Sequence, residues 1–305
     1  MIHQLDFNGH DKVEKAIMRL QAYEPPEGYY LCFSGGKDSV VIKALADMAG
    51  VKYDAHYNVT SVDPPELVRF IKREYPEVEF EHHYDKDGKR ITMWSLIASK
   101  KIPPTRRFRY CCAYLKESGG GGRLKITGVR WAESVRRRKT QGEVTVLTMK
   151  EKELAQQEYS NIAYKITPQG GIALPLDNRE NAKLVEACYR THDTTVNPII
   201  DWTDAEVWEF IKEYKVPYCA LYDQGYKRLG CIGCPMGSTQ KQELDRYPKY
   251  KHLYMLAFEK MLKRLDDEDK RTTWHTAQDI MDWFTQTDND ANMSDTEIMG
   301  LIDEQ

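Results

Sequence analysis

Six residues, Ser34-Gly35-Gly36-Lys37-Asp38-Ser39, stand between a short apolar run, Tyr29 to Phe33, and a helical face made by Val41, Leu45 and Met48 that ends at Gly50. Phosphate oxygens need several donors at short range. A loop of small residues between a buried strand and a helix N-terminus offers backbone N–H groups and the positive end of the helix dipole. Lys37 adds a point charge, Ser39 a hydroxyl donor, and Asp38 a carboxylate that could position Mg2+ or its water. The Walker A spacing, with four residues between a glycine and Gly-Lys-Ser/Thr, is not met. The competing reading is an ordinary tight turn carrying a surface lysine, and the strand and helix flanks argue for the phosphate site.

A second group is made of thiols. Cys111-Cys112 is an adjacent pair and Cys231-Ile232-Gly233-Cys234 is a CxxC pair. Four thiolates suit zinc or an iron–sulfur cluster, and spacing alone leaves both open. An adjacent pair reaches one small ion only with strain but can bind two irons of a larger cluster, which favours a 4Fe-4S cluster on Cys111, Cys112, Cys231 and Cys234. Cysteines are also often plain buried hydrophobes, but the polar and glycine-rich contexts RFRYCC and RLGCIGCP do not read as core strands. Cys32, Cys188 and Cys219 lie among apolar neighbours and are expected in the core.

The elements that must position these groups follow from periodicity. Val13, Ile17 and Leu20 mark a helix before Pro25-Pro26, Tyr53 to Thr60 reads as a strand, and Leu67, Phe70 and Ile71 lie on one face of the next helix. Further strands are expected at Leu124 to Thr127 and Val144 to Thr148, whereas residues 140–175 have weak periodicity and resist placement, as an insertion would. Thr203 and Glu206 form a capping box ahead of Val207, Phe210 and Ile211. Past Pro235, Leu253, Ala257, Phe258 and Met261 form a helical stripe, and Gly119 to Gly122 reads as a mobile loop. Alternating β and α predicts an α/β fold, Rossmann-like, with a parallel sheet flanked by helices and a C-terminal helical appendage. The expected division is residues 1–238 for the nucleotide-binding domain with the cluster segment, and 239–305 for the helical region.

The bulk composition narrows the classes. Lys plus Arg number 44 against 47 Asp plus Glu, a formal net charge of −3, so any anion site is local. No run of 18 apolar residues and no secretory layout occur, which predicts no membrane partner and a cytoplasmic protein. Seven cysteines, an odd number, are too few for a disulfide scaffold of this length and fit a reducing compartment. Arg130 and Arg136, expected at the carboxyl end of a parallel strand, are the better phosphate or sulfate candidates among the basic residues. Arg137, Arg138 and Lys139 read as a solvated face or as a nucleic-acid contact, and Arg106, Arg107 and Arg109 precede the cysteine pair. Trp202, Trp208 and Tyr222 read as packing rather than base-stacking platforms.

The SGGKDS loop after a buried strand resembles the PP-loop of the ATP pyrophosphatase superfamily, whose members cleave ATP between the α and β phosphates. The stretch from Asn197 to Cys234, together with CCAYLKE at 111–117 and TGVRWAESVRR at 127–137, is similar to the phosphoadenosine-phosphosulfate reductase family. That resemblance implies an adenine nucleotide alpha hydrolase-like fold and phosphate contacts from Ser34, Gly35, Gly36, Lys37, Asp38 and Ser39. It further implies ligation of a 4Fe-4S cluster by Cys111, Cys112, Cys231 and Cys234, as in cluster-bearing members. Sulfonucleotide reductases of the family carry a nucleophilic cysteine near the C-terminus, and no cysteine follows Cys234 here. The intact SGGKDS form is that of the ATP users, the ATP sulfurylase small subunit and the sulfur-transfer ATPase of DNA phosphorothioation, while the family's acidic Asp-Thr-Gly segment is replaced by Asn58-Val59-Thr60. The expected activity is therefore ATP-dependent adenylation in sulfur transfer or sulfonucleotide metabolism, with Lys37, Asp38 and Arg130 catalytic. ATP or a sulfonucleotide, Mg2+ and the cluster are the implied cofactors, and a sulfur-donor protein is an expected partner. Reduction of a sulfonucleotide with an external thiol, and a non-catalytic nucleotide- or nucleic-acid-binding module, are the alternatives.

Overall fold

The computed structural model describes residues 2–147, 165–167, 171–174, 185, 189–190, 192–286 and 302–303. The chain divides into two compact units, each assembled from separate segments: Met1–Tyr57, Glu66–Phe80 and Gly120–Leu229 in the first, and Asn58–Pro65, Glu81–Gly119 and Gly230–Gln305 in the second. This division does not follow a single boundary near residue 238. The segments bearing the four site cysteines group with the C-terminal helices, because apolar residues of both pack into one core.

The first unit is built on an eight-stranded sheet. Its centre is β1 (Tyr29–Cys32), where Tyr29 and Leu31 have no exposed surface, as expected of a strand covered on both faces. β1 runs parallel to β2 (Tyr53–Asn58) on one side and to β4 (Lys125–Ile126) on the other, with Leu31 opposite Ala55 and Ile126. β3 (Glu79–Glu81) lies beyond β2, and β8 (Thr194–Val196) pairs parallel with β4, Val196 facing Ile126. Within this half β1, β2 and β4 fall on the strands that periodicity predicted, and β3 and β8 were not foreseen.

Beyond β8 the sheet turns antiparallel through β5 (Val144–Val146), β7 (Ile172–Leu174) and β6 (Lys165–Ile166). β5 matches the expected Val144 strand as far as Val146; Thr148 and Cys188 lie outside the described residues, as does most of the unplaced 140–175 segment. Two- and three-residue strands carry too few positions for an alternation to be read, which is why β6, β7 and the antiparallel direction of β5 were not foreseen.

Helices flank the sheet. α1 (Lys12–Ala22) starts on a capping box made by Asp11 and Glu14 and buries Val13, Ala16, Arg19 and Leu20. α2 (Lys37–Ala49) ends at Gly50; Val41 and Leu45 are fully buried, but Met48 points outward at 42% exposure, the buried role at that turn falling to Ala49. α3 (Pro65–Glu74) buries Leu67, Phe70 and Ile71 as predicted, and α6 (Val135–Thr140) follows a single 3-10 turn, Trp131–Glu133. α7 (Asp204–Glu213) begins on the predicted Thr203–Glu206 capping box, with both reciprocal bonds formed.

In the second unit, α9 (Pro248–Asp267) is the long helix, and Tyr254, Ala257, Phe258, Met261 and Leu265 form its buried face. That stripe is the predicted one with Tyr254 in the place expected of Leu253, which is only half-buried. α4 (Met93–Lys100) and α10 (Ala277–Phe284) contribute Met93, Ile97, Ile280 and Phe284 to the same core. The unit also holds α5 (Tyr110–Leu115), α8 (Gln240–Arg246) and the pair β9 (Arg271–Thr272) and β10 (Ile302–Asp303). Among the described residues no helix is long and apolar enough to cross a membrane.

Arg19 is the polar tie of the first unit. It is 3% exposed, and its guanidinium donates to Glu143 at 2.6 Å, to Asp201 at 2.9 Å and to the Pro198 carbonyl at 2.9 Å. Removing one partner of such a set leaves the others buried and uncompensated. Arg19→Ala is therefore expected to lower stability by about 3 kcal/mol, seen as a lower urea midpoint at unchanged slope. A midpoint equal to that of the parent would show that these contacts contribute nothing.

Candidate anion-binding site and thiol group

β1, β4 and β8 are adjacent and parallel, so the loops leaving their carboxyl ends emerge at one edge of the sheet. That edge is where open α/β sheets bind ligands. β1 delivers Ser34 to Ser39, β4 delivers Thr127 to Arg130, and β8 delivers Asn197 to Asp204. The loops are laced together by Thr127 N–H to the Val196 carbonyl at 3.0 Å and Trp131 N–H to the Ile200 carbonyl at 2.8 Å.

The SGGKDS loop is tight because its glycines leave no room for side chains. Gly35 has φ +70, and a Cβ there would stand 2.7 Å from Leu67 Cδ1 and 2.8 Å from Ile71 Cδ1. The Ser39 hydroxyl donates to the Gly36 carbonyl at 2.9 Å, closing the first turn of α2, and the Ser34 hydroxyl donates to Ser39 Oγ at 3.2 Å. Across from the loop, Gly128 admits Asp38: a Cβ at that glycine would meet Asp38 Cβ at 3.0 Å.

The charges are balanced by contact. Arg130, 1% exposed, donates from Nε to Asp38 Oδ1 at 2.7 Å, from one terminal nitrogen to Asp204 Oδ1, and from the other to the Trp202 carbonyl at 3.2 Å. Lys37 Nζ, also nearly buried, lies 3.4 Å from Asp38 Oδ2 and 3.7 Å from Asp204 Oδ1. Burial works against the Arg130 charge, but Asp38 and Asp204 outweigh it and hold its pKa up. Burial likewise disfavours the Asp204 carboxylate, and Arg130 and Lys37 overcome it, holding its pKa down. Glu133 lies in the same electrostatic neighbourhood; burial raises its pKa, opposed by Arg137.

The Lys37 N–H donates to Tyr222 Oη at 2.8 Å. Tyr222 in turn packs edge-on against Trp208, ring centroids 5.1 Å apart, while Trp202 is fully buried against Phe210. Trp202 and Trp208 are thus packing residues as read from sequence, but Tyr222 belongs to the loop's polar site. Sequence gave no signal for this, since Tyr222 stands 185 positions from Lys37. Asp204 was visible only as part of a helix start.

The structure brings Ser34, Gly35, Gly36, Lys37, Asp38, Ser39 and Arg130 together. Arg136 is exposed on α6 and makes no hydrogen bond or ion pair to the loop among the described residues; the neighbour that faces the site is Arg137, through Glu133 at 2.7 Å. The expected place of magnesium on Asp38 does not fit: both its carboxylate oxygens already face cations, Arg130 and Lys37. An open cleft of about 370 Å3 in this unit lies elsewhere, lined by Phe70, Ile211, Lys215 and Tyr218 among others.

The four cysteines all fall in the second unit. Cys111 and Cys112 stand on the first turn of α5 and are hydrogen-bonded to each other. Cys231 and Cys234 close a turn through the Cys234 N–H to the Cys231 carbonyl at 3.2 Å, with Gly233 at φ +72 packed against Leu244 and Tyr254. Cys111 and Cys231 both pack against the core of this unit. The Cys111 contact, with help from Arg109, draws the Cys112 thiol down to about 5, while burial pushes the Cys231 thiol up. Cys231 also donates to Thr60 Oγ1 at 3.4 Å. In type and number these donors suit a thiolate-bound cluster, but among the described residues no group of three or more ligands is gathered around a point. Cys219 is buried, as expected of a core cysteine, and Cys32 is half-buried.

A glycine-rich loop between a parallel strand and its helix, with buried Lys and Arg at the strand ends, belongs to an α/β protein whose strand-end loops converge at one edge of the sheet. Residues 28–237 match the phosphoadenosine phosphosulfate reductase domain, and the chain belongs to that family. Adenosine 5'-phosphosulfate reductase of Staphylococcus haemolyticus is 35% identical over 24% of this chain and 30% of its own length. The protein of that name from Oceanobacillus iheyensis is 25% identical over 67% of this chain and 70% of its own length. An uncharacterized protein of Methanocaldococcus jannaschii is 27% identical over 79% of this chain and 50% of its length, so the chain spans half or less of several curated relatives it matches. The solved phosphoadenylyl-sulfate reductase of Candida auris, a phosphate complex, covers 75% of this chain and 96% of its own at 15% identity and TM-score 0.39.

Substitution at Gly35 tests the loop. Gly35→Ala adds a Cβ in a left-handed conformation and against two side chains, so stability is expected to fall by about 2 kcal/mol. Thermal unfolding and pyrophosphate affinity should both drop; an unchanged melting temperature would show that the loop is not packed as described.

Proposed function

We propose that this chain is a PP-loop adenylating enzyme of its family, acting in sulfur transfer or sulfonucleotide metabolism. The observation that carries the reading is the pair of nearly buried cations, Lys37 and Arg130, at the head of a helix that a glycine loop precedes. Buried donors held in place before the substrate arrives stabilise developing negative charge without reorganisation. In this reading the loop amides and Lys37 take the phosphate oxygens of ATP, Arg130 takes a neighbouring oxygen, and Asp38 positions both cations. An acceptor oxygen bonds to the α-phosphorus, the bond from that phosphorus to the bridging oxygen breaks, and pyrophosphate leaves with the electron pair. The acceptor's proton passes to solvent.

Cys111, Cys112, Cys231 and Cys234 would hold a 4Fe-4S cluster, which when bound supplies an iron site for a sulfur ligand or a fixed charge. A sulfur-donor protein as partner and a reducing, cytoplasmic setting accord with four reduced thiols. The second reading, reduction of adenylyl sulfate or its phosphorylated form to sulfite by an external thiol, is favoured by the names of the relatives.

Two experiments bear on these readings. With α-labelled ATP and anaerobically purified protein, AMP or an adenylated product is expected, and Lys37→Ala should lower its rate by about two to three orders of magnitude. Bare ADP release, or sulfite formation from adenylyl sulfate and thioredoxin without ATP cleavage, goes against adenylation. Iron and acid-labile sulfide should be found at roughly four each per chain, with visible absorbance lost in Cys234→Ser. Stoichiometric zinc in their place removes the cluster assignment.

A further inference from the structure

The phosphate groups of a nucleotide would arrive at donors that are already filled. Asp204 Oδ1 accepts from Arg130 and lies 3.7 Å from Lys37 Nζ, so one carboxylate oxygen bridges the two buried cations of the loop. The Lys37 N–H, the first amide of α2, is taken by Tyr222 Oη at 2.8 Å. Two cations, Lys37 and Arg130, thus face two carboxylates, Asp38 and Asp204, and the set has no net charge to attract an anion.

The two carboxylates differ in how they are held. Asp38 is the loop's own residue, 22% exposed, gripped by Arg130 Nε at 2.7 Å and confined by Gly128. Asp204 opens a different helix, is 68% exposed, and can leave its place by side-chain rotation without disturbing α7, whose capping is done by Thr203 and Glu206. Tetrahedral phosphate and planar carboxylate both offer an anionic oxygen to the same donors. A phosphate oxygen that reaches both Arg130 and Lys37 must therefore take the position of Asp204 Oδ1.

Resting on the phosphate-binding reading of the loop, we propose that Asp204 is a specificity-determining residue: an internal anion that an incoming phosphate displaces. An isolated phosphate exchanges one anionic oxygen for another and gains little. Adjacent phosphates displace Asp204 and also engage the loop amides, so the site selects di- and triphosphates over single phosphates. Tyr222 acts in the same direction at the Lys37 amide.

The test uses pyrophosphate and inorganic phosphate as probes, with affinity read by titration calorimetry on the full chain. Asp204→Asn removes the charge and keeps the shape. It should tighten pyrophosphate binding about tenfold and inorganic phosphate by more, and so reduce the preference between them, whereas equal tightening of both would overturn the specificity role. Tyr222→Phe frees the Lys37 amide and should tighten pyrophosphate by a few fold, which decides the matter if Asp204→Asn does not fold. A purely structural Asp204 would lower the melting temperature and leave both affinities unchanged, and that result overturns the proposal. Weaker binding in Asp204→Asn, as for a direct ligand, overturns it too. If the parent binds pyrophosphate and Lys37→Ala abolishes this while Asp204→Asn changes nothing, the displacement idea alone is lost. If the parent binds no pyrophosphate, the reading of the loop falls with it.

Discussion

A buried guanidinium organises the carboxyl edge of the sheet in this protein. Arg130 has almost no exposed surface, and each of its three side-chain nitrogens donates to an acceptor: Asp38 on the loop, Asp204 on α7 and the Trp202 carbonyl between them. A charge taken out of water must be paired or it destabilises the fold by several kcal/mol. The three strand-end loops are therefore obliged to meet, and the position of Lys37 follows, because the carboxylates that hold Arg130 hold it as well. The same pairs that make the edge rigid also make it electrically quiet until an anion competes for them.

Family membership and site geometry bear on different questions. Residues 28–237 set the fold and the family, and relatives bearing reductase names share that framework. What the framework does in this chain rests on its own loop, where Gly35 and Gly36 keep the backbone low and Lys37 is buried beside Arg130. Asp38, which by type alone suits a metal, instead has one carboxylate oxygen on Arg130 and the other facing Lys37. Residue type proposes a role, and the neighbours decide it.

In the second unit the thiols are arranged by ordinary packing. Tyr254 of α9 donates to the Ile232 carbonyl at 3.0 Å, and the Ile232 N–H reaches Val62, so the CxxC turn is pinned from both sides. The adjacent pair rides on a single short helix whose Tyr110 hydroxyl donates to the Ile102 carbonyl at 2.7 Å. These contacts explain why the cysteine segments separate from the sheet and join the C-terminal helices, against the boundary near residue 238 expected from sequence.

Local order was legible in the sequence because it is written in neighbouring residues. The buried β1, the glycine loop after it, the capping box at Thr203 and the stripe of α9 each depend on spacings of a few positions. So did β1, β2 and β4 of the parallel half, from the alternation of strand and helix. The strands β3, β6, β7 and β8, the antiparallel direction of β5, the outward turn of Met48, the solvent-facing Arg136 and the roles of Asp204 and Tyr222 were not legible. Each depends on a partner far along the chain: Tyr222 meets Lys37 across 185 positions, and Arg130 meets Asp38 across 92. Composition and periodicity fixed which groups could bind an anion, and only the adjacency of three parallel strands decided which of them face one another.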